Sequence, residues 1–241
     1  MSSDLAVIFS FSGFLLGLVI VLILIFVNRK LPYHNLLLAL CIFSFTYLMF
    51  VSSLIWSGLI LRVPHFFRTA SPVIYLIAPT AFLYVRAALE EEKEFRLIDG
   101  LHFLPAFLHF LELAPFFAQS SETKIHILQT VFSDPDYSLA MYEGILPANA
   151  HAFLKTGIGL IYFPYQFYLI RMYRQEHTPI DSYQEKVTRW LNLFTLVLTT
   201  CYAVLLLGLL MDNEASTVQH LLTVLIGAAL LIILAYLFFR P

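Results

Sequence analysis

Four ionisable side chains fall within one otherwise apolar stretch, DGLHFLPAFLHFLELAPFF, residues 99–117. Asp99, His102, His109 and Glu112 follow one another at spacings of three, seven and three. On a helix, residues seven apart share a face, so His102 and His109 stack two turns, roughly 10 Å, apart. That is too far for one metal ion to take both imidazoles without a sharp kink at Pro105, which lies between them. The spacing of three instead lets Asp99 orient His102 and lets Glu112 pair with His109. Such couples serve as plain hydrogen-bonded partners near a membrane face, or as a ligand- or proton-sensing pair, since histidine titrates near neutrality.

Two further groups carry chemistry. LRVPHFFRT offers Arg62, His65 and Arg68, whose donors suit an anionic ligand or lipid headgroups. In GIGLIYFPYQFYLIRMY, Tyr162 and Gln166 flank Pro164. A proline inside a spanning helix frees a backbone carbonyl and bends the chain, which shapes a cavity or a hinge. Pro72 and Pro79 do the same in SPVIYLIAPTAFLYVRAAL. The candidate ligand or sensing set is therefore Arg62, His65, Arg68, His102, His109, Glu112, Tyr162 and Gln166.

The elements that hold these residues follow from composition. Of 241 residues, 60% are hydrophobic and 12% charged, and the mean hydropathy is +0.81. Soluble domains are nearer half apolar and a quarter charged, so the chain reads as a membrane protein. A span needs about 20 mostly apolar residues. Seven runs qualify: 5–27, 35–56, 70–88, 101–117, 152–173, 190–211 and 218–239. The expected fold is an all-α bundle of seven transmembrane helices in a single domain, 1–241. With the N-terminus outside, ten Lys and Arg fall on inside segments and four on outside ones. Positive charge gathers on the cytoplasmic side, which favours N-outside, C-inside. The longest connection, 118–151, is then external. Its Ile125, Leu128 and Phe132 suit a short amphipathic helix, and SDPD at 133–136 signals a turn. It is either a cap on the bundle or a lid over an outward-facing pocket. Glu90, four residues after Arg86, is placed to pair with it. Gly13 and Gly17 form a close-approach surface, within the chain or between two copies.

Several classes are excluded. The net charge of −2 provides no basic footprint for nucleic acid. No G-x-S-x-G, H-E-x-x-H or phosphate-cradling pattern appears. The last apolar run has no lysine for a retinal Schiff base. Cys41 and Cys201 lie inside apolar runs and read as core packing. No cofactor and no catalytic or metal residue is assigned.

Residues 63–117 carry a further pattern: PHFFR, the P-x-x-Y-L-x-x-P of Pro72, Tyr75, Leu76 and Pro79, LYVRA at 83–87, and FR-x-x-D-x-L-H-F-L-P from Phe95 to Pro105, followed by PFF. This resembles the N-terminal multi-helix membrane domain of bacterial AraC-family transcriptional regulators of Bacteroidota. The closing YLFFRP is similar to the segment that leads, in such proteins, to a cytoplasmic helix-turn-helix domain. The resemblance implies an inner-membrane, multi-pass sensor that relays an envelope or membrane signal to DNA. DNA would be reached only through a C-terminal domain absent from these 241 residues. It also makes a homodimer an expected partner beside the bilayer and a small-molecule signal. It carries no assigned ligand residues. A different class stays open: a small transporter or intramembrane enzyme centred on His102, His109 and Glu112. A third reading is a passive membrane anchor.

Overall fold

A backbone in hydrocarbon must satisfy its own hydrogen bonds, and the described residues of the seven apolar runs are helical, apart from a break at Tyr75 and Leu76. The computed structural model describes residues 3–27, 33–91, 94–134, 136–141, 144–177, 181–210 and 215–238. The helices are α1 (Ser3–Leu22, continued as a π turn over Ile23–Val27), α2 (Tyr33–Trp56), α3 (Ala70–Ile74), α4 (Ile77–Leu89), α5 (Leu104–Phe117), α6 (Ser121–Ser133), α7 (Tyr137–Ala140), α8 (Ala148–Glu176), α9 (Ser182–Leu210) and α10 (Ala215–Phe238). Among the described residues no β-strand occurs. Arg29, Lys30, Lys93 and Arg240, which enter the charge asymmetry, lie outside the described residues, as do Pro135 and residues 212–214.

Four helical segments are long and apolar enough to cross a membrane: Asp4–Phe26, Tyr33–Trp56, Leu97–Phe117 and Ser182–Leu210. Pro64–Ile74 and Ile77–Leu89 make a fifth if taken together, bent by 43°. The bend has a chemical cause. Pro79 has no N–H to return to the carbonyl of Tyr75, so the helix breaks at Tyr75 and Leu76. α8 is long enough, at 29 residues, but mixes Lys155, Gln166 and Arg171 with its apolar side chains. His220–Tyr236 is apolar but shorter.

The helices close into a ring. α1 packs on α2, α2 on α4, α4 on α8, α8 on α9, α9 on α10, and α10 on α1. Their facing sides form one core that includes Ile42, Met49, Leu83, Phe163, Leu191 and Leu230. α5 stands outside the ring against α3. The glycine pair of α1 is an intrachain contact: Gly13 meets Met49 and Gly17 meets Thr46, both on α2.

A second apolar cluster, Ile60, Phe67, Leu113, Phe116, Leu128 and Met141, seats a cap on one end of the ring. The expected amphipathic helix is α6, capped by Ser120, whose hydroxyl accepts from Thr123 N–H. Leu128 is buried, whereas Phe132 is largely exposed. Lys124 shares the buried face. Its Nζ donates to Phe117 O at 2.8 Å and lies 2.9 Å from His65 Nδ1. Removal from water holds this ammonium below the usual lysine range.

Candidate functional site

Pro105 does not kink a helix between His102 and His109. It lies in the first turn of α5, where a missing N–H costs nothing. The preceding residues, Leu97–Phe103, form a 3₁₀ helix. His102 therefore belongs to one element and His109 to another, and the two find different partners.

His102 Nδ1 is hydrogen-bonded to Tyr162 OH on α8, with the Phe82 ring packed edge-on against the imidazole. Asp99 makes its hydrogen bonds elsewhere. Arg86 Nη1 and Nη2 donate to its two carboxylate oxygens at 2.9 and 2.6 Å, and the Arg96 N–H adds a third bond. A guanidinium fork satisfies both oxygens at once, which an imidazole cannot. Glu90, expected beside Arg86, accepts from Arg96 instead.

His109 lies within a larger cluster, and its expected partner Glu112 is there with it. His109 Nδ1 is 3.5 Å from Glu112 Oε2. His151, in the first turn of α8, brings its Nε2 to 3.0 Å from the same oxygen. The two imidazoles nearly touch, with ring centroids 3.9 Å apart. Each group is held from behind. Ser71 Oγ lies 2.8 Å from His109 Nε2, and Tyr75 OH lies 2.9 Å from His151 Nδ1. Glu112 Oε1 accepts from the N–H groups of Ile145 and Leu146, both at 2.8 Å. Lys155 Nζ donates to Ser71 Oγ at 2.7 Å and lies over the Tyr75 ring. His109 and His151 are 2% and 3% exposed.

The backbone explains why these residues meet. Ser71 and Tyr75 are four apart on the third apolar run, and His151 and Lys155 four apart on α8, so each pair presents one face. Gly144 lets the loop before α8 lie directly on α5. A Cβ there would stand 2.8 Å from the Glu112 carbonyl oxygen.

Beside this cluster lies a cavity of about 320 Å³. α2, α3, α8, α9 and α10 wall it, through residues such as Met49, Ile74, Ala152, Tyr202 and Ile226. Leu128 and Phe132 of α6 and Ser138 of α7 border it at the cap. Among the described residues its lining is apolar apart from a few hydroxyls, the Cys201 thiol and two cations, Arg68 and Lys155, with no carboxylate. Arg68 has φ 67, a left-handed backbone costing about 1–2 kcal/mol in a residue with a Cβ. Its Nη2 donates to the Ser138 carbonyl, which ties the cap to the rim.

The remaining candidates scatter. Arg62 is exposed. His65 binds the cap through Ser121 and Lys124. Gln166 is fully buried and accepts from Thr195 Oγ1 of α9. Arg62, His65 and Arg68 thus form no single anion site. Ser71, Tyr75, His151 and Lys155 were missed as site residues. Ser71 and Tyr75 recur at i, i+4 within an apolar run, whereas His151 and Lys155 have that spacing across the start of one.

Comparison with known protein families, with curated proteins and with solved structures finds no match.

Proposed function

We propose that the chain is a membrane-embedded sensory domain: seven spans, N-outside and C-inside, in a bacterial inner membrane. The observation that carries this reading is the cavity between the ring and the cap. Its volume is in the range of small-molecule sites. Its wall includes Leu222, Thr223 and Ile226 of α10, the helix that leads to the C-terminal end of the chain. A ligand there touches both the cap and the element that would carry a signal inward. It shifts the bundle only by binding one arrangement more tightly than another. The lining selects an amphiphile with an apolar body and an anionic head, met by Arg68 and Lys155. The resemblance to the membrane half of AraC-family regulators supports the same reading and supplies the output, a DNA-binding domain following residue 241.

The test uses a fluorescent long-chain fatty acid as the probe and the whole chain in detergent micelles. Saturable one-site binding is expected, blocked by Ala152→Trp and weakened at least tenfold by Arg68→Ala. A helix-turn-helix reporter joined after residue 241 should change its output on addition of the same acid. Non-saturable partitioning, identical in wild type and Ala152→Trp, would sink the ligand assignment. An output unchanged when unrelated spans replace the bundle would favour the passive anchor. Of the three residues given to the enzyme or transporter reading, His109 and Glu112 lie together and His102 pairs with Tyr162.

A further inference from the structure

We infer that His109, Glu112 and His151 form a divalent-cation site, with zinc the metal their donors fit best. Among the described residues these three bring one ligand atom each to within 4.8 Å of one another. A tetrahedral ion with bonds of about 2.0–2.2 Å sets its ligand atoms roughly 3.3–3.6 Å apart. The observed 3.5 Å from His109 Nδ1 to Glu112 Oε2 falls within that spacing, and the 3.0 Å from His151 Nε2 to the same oxygen lies just below it.

Hydrogen bonding points the same way. His151 Nε2 is buried without a hydrogen-bond partner, although a carboxylate oxygen is 3.0 Å away. An N–H at that atom would be poorly directed towards the oxygen, whereas a lone pair shared with a cation between the two groups accounts for the approach. The partners behind the ligands fix the matching tautomers. Tyr75 OH can accept from His151 Nδ1–H, leaving the Nε2 lone pair free. Ser71 Oγ accepts a hydrogen bond from Lys155 and has a second lone pair for His109 Nε2–H, the tautomer in which the Nδ1 lone pair is on the Glu112 side. Two backbone N–H groups hold Glu112 Oε1 and leave Oε2 to the metal. Ligands oriented in this way from a second layer are the mark of a built metal site. Two histidines and one glutamate form a three-ligand zinc set that leaves a fourth position to water or another ligand.

The inference goes beyond the sensory reading and does not need it. The experiment is metal analysis of the whole chain, purified from zinc-supplemented cells, with Zn²⁺ and Co²⁺ as the probes. One zinc per chain is expected, falling at least tenfold in His151→Ala and in Glu112→Gln and unchanged in a His65→Ala, His102→Ala double variant. Wild type stripped with a chelator should take up one Co²⁺, with the visible bands of a tetrahedral ion, and should gain thermal stability on zinc addition. This second arm needs no variant to fold. Wild type without stoichiometric metal, Co²⁺ bands or zinc stabilisation would overturn the site. So would metal that persists in a folded His151→Ala or disappears with the His65 and His102 pair.

Discussion

Two buried polar groups lie on the path from α4 to α8, and they are built on opposite plans. Asp99 is closed: both oxygens are held by the Arg86 fork, with an Arg96 N–H in addition. Acceptors and donors match, and no donor atom is directed at a point between the groups. The cluster around Glu112 is open: its outer atoms are tied down by Ser71, Tyr75 and two backbone amides, while three inner atoms converge. A closed ion pair makes a joint. A convergent set held from outside makes a site. The difference is the direction of the satisfied atoms, and a count of charged residues would not show it.

The largest expected effect breaks the closed group. Asp99→Ala leaves the Arg86 guanidinium, 13% exposed, without its carboxylate, and should cost about 3–5 kcal/mol. Chemical unfolding in detergent micelles checks this, and the loss should be the same with and without zinc. Gly144→Ala strikes the open group. The added methyl pushes the Ile145 and Leu146 amides off Glu112, a cost of about 1–3 kcal/mol for the groups left unpaired. Unlike the first variant, it should release zinc. Lys155→Met sharpens the contrast, because the two ligands should respond with opposite sign. Removing a cation beside the cluster should tighten zinc about tenfold, roughly 1.4 kcal/mol, and should weaken fatty-acid binding. Equal and parallel losses would show that Lys155 only supports the fold. His102→Phe removes the bond to Tyr162 for about 1 kcal/mol and should leave metal content unchanged.

The smallest effect is at the cap. Lys124 has a folded-state pKa below its ordinary value of 10.5 because burial penalises its charge. Between those two values the undocked form binds more protons, so docking strengthens as pH rises. Proteolysis of the 118–147 segment should therefore slow from pH 8 to pH 10, relative to Lys124→Met, in which this contribution is absent. A pH dependence identical in the two proteins would remove Lys124 as its source.

Much of the scaffold was legible in the sequence. The described residues of the seven apolar runs are helical, with one break in the third, because hydrophobic length and backbone self-satisfaction act locally. The i, i+3 pairing of His109 with Glu112 was legible for the same reason. Asp99 and His102 have that spacing too, yet Arg86, 13 residues away, presents the stronger and better-shaped partner. The apolar pattern puts His151 at the end of the 118–151 connection. It lies in α8, which begins at Ala148, ahead of the apolar run. Ser71 and Lys155 are 84 residues apart, and nothing in either neighbourhood specifies the other. Long-range polar contacts follow from how the helices close into a ring, which periodicity alone does not dictate.

The wiring of Glu112 also bears on biosynthesis. Its amide partners lie 33 and 34 residues further along the chain, and His151 follows them. At ribosomal speeds of about 5–20 residues per second, α5 waits roughly 2–7 s for them to be made. During that interval an acidic side chain and His109 sit on a newly inserted apolar helix without their final neighbours. α5 is also the helix left outside the ring. The nascent protein therefore passes through a stage in which α5 carries His109 and Glu112 ahead of the residues that later hold them, and that stage is when a chaperone or a protease would find it.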